Sequence, residues 1–151
     1  MKKSVLFFLL SLILVSSRSI GQDKPLSKKT LQQLDEAEKD MVNAISNGDS
    51  AAFKKIAGFE YIDINATGTE TKLQSMLNEI QNFKGIAVHF SEQLQRIYGN
   101  FVLKNGRARF LLNGQLVSEV FYTQGWVYRD KKWQLVHWQG TMTKDFLQKK
   151  K

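Results

Sequence analysis

Tyr61 and Asp63 are the residues whose types and spacing first suggest chemistry. They stand two apart in Phe59-Glu-Tyr-Ile-Asp-Ile-Asn65, a run that reads as a strand, so both side chains leave one face. On an enclosed face, a carboxyl is a general acid or base, or a polar anchor at a pocket mouth, and the nearby phenol can orient a ligand. The competing reading is a strand-end carboxylate bonded to the turn that follows at Ala66-Thr-Gly-Thr69. His89 and His137 are the only histidines, on separate strands and away from any carboxylate cluster. A metal normally takes three or four ligands, so no metal is expected, and each imidazole is read first as hydrogen-bonded structure. Proton transfer by either stays open, because imidazole titrates near neutrality. No Gly-x-Ser-x-Gly is present, and the absence of cysteine excludes thiol catalysis, disulfides, Cys-ligated zinc and iron–sulfur clusters. No cofactor is expected. Phe53, Phe121 and Trp138 either line an apolar pocket or fill the core. Asn65-Ala-Thr67 matches a glycosylation sequon.

These residues need elements to position them. Leu31, Leu34, Ala37, Met41 and Ile45 mark one face of an amphipathic helix, with Thr30 and Gln33 as its capping box and Asn47–Gly48 as its end. Asp49 then caps a short second helix carrying Phe53 and Ile56. After the strand at 59–65, a third helix is expected from a Thr71–Gln74 capping box, with Leu73, Met76, Leu77, Ile80 and Phe83 as its stripe. Four strands follow: Ile86–Tyr98, either one long strand or two joined by a bulge, then Phe101–Leu112, Leu116–Arg129 and Lys132–Thr143. They are separated by Gly99–Asn100, Asn113–Gly114 and Asp130–Lys131. The fold class is α+β, with helices on one face of a curved antiparallel sheet.

A two-residue turn at Asp130–Lys131 pairs Tyr128 with Trp133, Trp126 with Leu135, Gln124 with His137 and Tyr122 with Gln139. Neither face of this hairpin is dominated by charge, so both should be covered. Helices cover one. The face carrying Tyr122, Gln124, Trp126, Leu135, His137 and Gln139 is therefore expected at a homodimer interface.

The chain has 151 residues, enough for one domain with a sizeable core, and a formal net charge of +8. Lys2 and Lys3 precede an apolar run from Val5 to Val15, followed by Ser16, Ser17, Ser19 and Gly21–Gln22, the layout of a secretory signal peptide. The run is much shorter than the roughly 20 residues that span a bilayer, so no stable anchor is expected after cleavage near Gly21–Gln22. Without Lys2, Lys3 and Arg18 the charge falls from +8 to +5, and without Lys149, Lys150 and Lys151 to +2. No basic patch with interleaved aromatics stands out, and nucleic acid is not an expected partner. The expected organisation is a signal peptide at 1–21, a flexible lead-in at 22–29, a domain at 30–145 and a basic tail at 146–151. The product would be periplasmic or extracellular.

Met41-Val-Asn-Ala-Ile-Ser-Asn-Gly-Asp49, Phe59-Glu-Tyr-Ile-Asp63 with Gly68, Arg96-Ile-Tyr-Gly-Asn100 and Trp126-Val-Tyr-Arg-Asp-Lys-Lys-Trp-Gln-Leu-Val-His137 together resemble the nuclear transport factor 2-like superfamily over about residues 28–143. The flavour is that of the SnoaL-like group, which includes the domain of unknown function 4440. Val136-His-Trp-Gln-Gly140 is also similar to the association domain of calcium/calmodulin-dependent kinase II. The resemblance implies a cone-shaped domain, usually dimeric, whose three N-terminal helices and strongly curved antiparallel sheet enclose a pocket. Among the superfamily's chemistries, ketosteroid isomerisation needs a carboxylate base and an oxyanion hole of a tyrosine and a protonated acid. Asp63 falls where the base would lie. Met41 stands at the position of the oxyanion tyrosine and cannot donate, and Phe101–Leu112 contains no Asp or Glu, so steroid-type isomerisation is not expected.

The pocket expected on these grounds comprises Met41, Phe53, Tyr61, Asp63, His89, Phe121 and Trp138. The leading reading is a module that binds a small apolar ligand. The alternatives are a cofactor-free isomerase, cyclase or dehydratase using Asp63 as acid or base, and a protein–protein adaptor with a vestigial pocket. An open cavity with Tyr61 and Asp63 converging favours the enzyme, and a filled one the adaptor.

Overall fold

A computed structural model describes residues 26–149. The expected export signal with its cleavage zone at Gly21–Gln22, most of the expected lead-in, Lys150 and Lys151 lie outside the described residues. Helix α1 spans Lys28–Asn47 and α2 Ser50–Ile56, followed by strands β1 (Ala57–Ile64) and β2 (Glu70–Lys72). Helix α3 (Leu73–Glu79) runs into a 3-10 turn at Ile80–Phe83, and then come β3 (Ile86–Tyr98), β4 (Phe101–Leu112), β5 (Gln115–Arg129), β6 (Lys132–Met142) and α4 (Lys144–Lys149). The six strands form one curved, open sheet in the order β2-β1-β6-β5-β4-β3, antiparallel except for β1 against β6.

Helix α1 starts earlier than its capping signal suggests. The Ser27 hydroxyl, not Thr30, accepts the orphan N–H, here from the backbone of Thr30, and Lys28 and Lys29 of the expected lead-in are helical. At the other end Gly48 adopts φ +66°, and its N–H closes the last turn onto Ala44 and Ile45. Asp49 caps α2 through Ala52 N–H, as the sequence indicates. The Thr71–Gln74 capping box does not form: residues 70–72 instead pair with β1 as a short edge strand, and α3 begins without a side-chain cap. The expected tail is also partly structured. Thr143 and α4 turn back, the Thr143 hydroxyl donates to Glu119, and Phe146 is buried.

The main core lies between the helices and the concave face of the sheet. It contains Leu34 and Met41 of α1, Phe53, Tyr61, Ile80, Trp126 and Leu135. Helix α1 buries one residue that its apolar stripe does not announce. Glu38 meets Lys104 Nζ of β4 at 2.6 Å, both side chains nearly excluded from solvent. Gln93 of β3 donates to the same carboxylate and to the Tyr122 hydroxyl at 2.8 Å, so a polar cluster pins α1 across three strands. Trp133 Nε1–H adds a bond to the Thr30 carbonyl at 2.7 Å.

Bulges bend the sheet. In β3 the register slips between Ser91 and Leu94, with Glu92 at φ +54°. Gly106 of β4 faces this bulge, where a Cβ would come within 2.7 Å of the Ser91 carbonyl oxygen, so only glycine permits the close approach. A second slip, in the β5–β6 hairpin, corrects the expected pairing. Tyr128 does face Trp133 and Trp126 does face Leu135, but Val136 is then passed over, so that Gly125 faces His137, Gln124 faces Trp138 and Thr123 faces Gln139. One extra residue exchanges the faces beyond it. Trp138 thereby joins the concave face with Tyr122, Gln124, Trp126 and Leu135, while His137 and Gln139 point outward.

The dimer-face expectation is corrected accordingly. Tyr122, Gln124, Trp126 and Leu135 are core residues of the protomer, and only His137 and Gln139 of that set stay on the outer face.

Candidate functional site

A cavity of about 260 Å³ opens where the helices stop covering the concave face. Helix α1 contributes Met41, Val42 and Ile45 to its wall, because these follow the buried stripe past the Glu38 tie. Phe53 of α2 packs edge-on against Tyr61, with ring centroids 5.4 Å apart. Strand β1 presents Tyr61 and Asp63, and the inner-face alternation of β3 presents Ile86, Val88 and Phe90. Trp138 lies parallel to Tyr122 at 5.2 Å, with Phe110 at its edge, so the floor of the cavity is an aromatic stack.

The polar groups are few. Tyr61 and Asp63 emerge on the cavity side of β1, as their spacing requires, and each lacks a hydrogen-bond partner among the described residues. The turn after β1 is organised by Asn65 instead: its Oδ1 accepts from the N–H groups of Thr67 and Thr69 at 3.0 Å and from the Thr67 hydroxyl at 2.7 Å. The turn-bonding reading of Asp63 is therefore replaced, and the sequon asparagine is a turn residue. Asp63 is left facing an apolar space. Burial, with the nearby Glu79 charge adding to it, lifts its carboxyl to about 6 from an ordinary 3.8. Burial, helped by the Asp63 charge, likewise raises the Tyr61 phenol well above its usual value, so it stays a neutral donor.

Five of the seven residues expected in the pocket lie in this wall: Met41, Phe53, Tyr61, Asp63 and Trp138. His89 and Phe121 do not. Both sit on the outer face, His89 paired across from Arg109 and Phe121 half exposed beneath the Arg107 guanidinium at 4.9 Å. The alternation of Ile86, Val88 and Phe90 against Ala87, His89 and Ser91 carried the signal that His89 points away. Phe121 alternates with the buried Tyr122 on β5 and so faces outward, and the slip at Val136 separates it from Trp138, which turns inward. Also missed were Phe90, Phe110 and Val120, which sit on inner-face positions of the meander, and the acidic neighbour Glu79, which only the packing of α3 on β1 brings near Asp63. No group of three or more His, Asp or Glu side chains fit to hold a metal occurs among the described residues.

No protein-family model matches the sequence, and no curated protein is detectably similar to it. Solved structures are similar in fold. A nuclear transport factor 2-like protein from Cytophaga hutchinsonii superimposes with a TM-score of 0.66 at 17% identity, covering 78% of this chain and all (100%) of that one. The chain has the nuclear transport factor 2-like fold. A nuclear transport factor 2-like superfamily protein from Salmonella enterica gives 0.65 at 17% identity, over 76% of this chain and 91% of its own. A Nostoc punctiforme protein of unknown function with a cystatin-like fold gives 0.70 at 9% identity, over 80% and 96%. At these identities the likeness extends to the architecture and stops there, so what a nuclear transport factor 2-like domain does here depends on its own cavity.

Proposed function

We propose that this chain is an exported module of the SnoaL-like group that binds a small, largely apolar molecule in the cavity between helices and sheet. The ligand's one polar group would lie against Asp63 and Tyr61. The observation that carries this reading is an open, aromatic-floored cavity in which the Tyr61 and Asp63 side chains have no hydrogen-bond partner among the described residues, while Asn65 and Ser118, also in its wall, are bonded. Buried polar groups are normally satisfied, so a ligand or water completes this pair. N-phenylnaphthylamine, a neutral fluorescent probe, is expected to bind with a blue-shifted emission and to quench tryptophan fluorescence through Trp138. Val88→Trp, which fills the wall from β3, is expected to weaken that binding at least about tenfold. Unchanged binding in the variant would sink the cavity as the site, and native mass spectrometry of the purified protein tests for a co-purified ligand.

A second reading rests on the same carboxyl. An Asp that titrates near 6 in an apolar cavity is suited to general acid or base work in a cofactor-free isomerisation, cyclisation or dehydration. With Met41 in the wall the cavity offers Tyr61 as its phenolic donor. Asp63→Asn abolishes any such activity, and an activity that survives this change does not depend on Asp63.

We further propose a homodimer through the outer sheet face, where Leu94, Tyr98 and Phe121 are more than half exposed beside His137 and Gln139. Phe121→Asp is expected to shift the light-scattering mass toward that of one protomer. A wild-type mass already equal to one protomer would refute the assembly. An intact mass beginning at Gln22 after periplasmic expression checks the cleavage.

A further inference from the structure

The charge lining the cavity is of one sign. Among the described residues, Asp63 is the one carboxyl in the wall, and no Lys, Arg or His contributes to it. Around Asp63, Tyr61 lies on the same strand, Thr71 faces it from β2 and Trp138 from β6, and Glu79 approaches from α3. The charge that acts on Asp63 from its surroundings is the acidic Glu79, while Lys72, next to Thr71 on β2, pairs with Ile62 instead. A neutral ligand that expelled the remaining water would leave the carboxylate without a counter-charge, at a cost that rises as the site dries. Aromatic faces, by contrast, are favourable ground for a cation: Tyr61, Phe53, Phe90 and Trp138 ring the same space.

We propose that the cavity takes an apolar amine, its ammonium group paired with the Asp63 carboxylate between aromatic rings and its hydrocarbon body against the wall from α1 and β3. This rests on the cavity being a ligand site and names the class of molecule it selects. The Tyr61 hydroxyl supplies a neutral neighbour to the ion pair, and Glu79 reinforces the negative potential without lining the cavity. Because Asp63 titrates near 6, the selectivity belongs to the alkaline side of that value and fades as the carboxyl is protonated.

Phenethylamine and phenethyl alcohol, alike in shape and differing in one heavy atom, separate the possibilities by calorimetric titration of the purified full chain. At pH 8 the amine is expected to bind at least about tenfold more tightly than the alcohol, as suits a desolvated charge pair. At pH 4.5 the advantage should collapse. Asp63→Asn should abolish it at pH 8 by removing the amine's tighter binding, and an unchanged circular dichroism spectrum shows that the variant folds. Equal affinity of amine and alcohol for the wild type overturns the preference for a cation and leaves the cavity reading standing. Failure of both to bind, along with N-phenylnaphthylamine, overturns the cavity reading itself. A preference for the amine that persists in Asp63→Asn, or that Glu79→Gln alone removes, assigns the cation elsewhere than Asp63 and refutes the pairing.

Discussion

Lys104→Met is expected to lower the free energy of unfolding by about 3–5 kcal/mol, because it leaves the Glu38 carboxylate buried without its counter-charge. The pair stands at 2.6 Å with both side chains almost fully enclosed, whereas Asp35, at 3.6 Å and largely exposed, offers only a screened alternative. Gln93 still donates to Glu38, but a neutral amide does not replace an ammonium. The double variant Glu38→Leu with Lys104→Met should recover most of the loss, since buried ion pairs are often no better than apolar residues of similar size. Denaturant titration of the two single variants and the double variant measures the coupling directly. A loss below about 1 kcal/mol for Lys104→Met would mean that the pair is already hydrated. The consequence reaches the cavity, because Met41 lies one turn beyond Glu38 on the helix held by this contact.

Asp63→Asn is expected to act in the opposite direction and to do so only at higher pH. Burial raises this carboxyl from 3.8 to about 6 in the folded chain, so between those values the folded state binds more protons than the unfolded one. Stability therefore falls as pH rises through that window. It is least affected below the unfolded value, where both states are protonated, and the full cost is present above about 6. A difference of that size corresponds to at most ~3 kcal/mol. With part of the carboxyl open toward the cavity mouth, about 1–2 kcal/mol is expected. Asparagine keeps the shape and removes the charge, so the variant should be more stable than wild type by about that amount at pH 8 and indistinguishable near pH 3.5. A gain that stays constant from pH 3.5 to 8 would show that the carboxylate is not the source. A side chain that costs stability where it sits, and that no other described residue satisfies, is the kind retained for a ligand or a reaction.

Much of this architecture was legible in the sequence because it depends on near neighbours. The stripe through Leu34 and Met41 requires a helix whatever packs on it. Gly48 and Asp49 mark the break between helices, since one tolerates positive φ and the other caps. Asn113–Gly114 and Asp130–Lys131 turn with positive φ at all four residues, the geometry that a tight two-residue hairpin loop demands. The two-residue spacing of Tyr61 and Asp63 puts them on one face before any tertiary contact forms.

The remainder depends on residues far apart in the chain. A bulge at Val136 leaves no mark in a local pattern, yet it carries Trp138 into the cavity floor and leaves Phe121 outside, since one slipped residue exchanges the faces. Residues 70–72 became a strand because β1 offered an edge to pair with, and backbone pairing outweighed a capping box. Glu38 looked like an exposed helix residue until Lys104, 66 positions away, supplied its counter-charge. The sequence by itself determined the order and type of the main elements and the shared face of Tyr61 and Asp63. Only the tertiary structure decided which apolar residues surround that pair, and that Asn65 took over the turn and left the Asp63 carboxyl facing an apolar cavity, because sheet register and long-range charge pairing are properties of the folded chain alone.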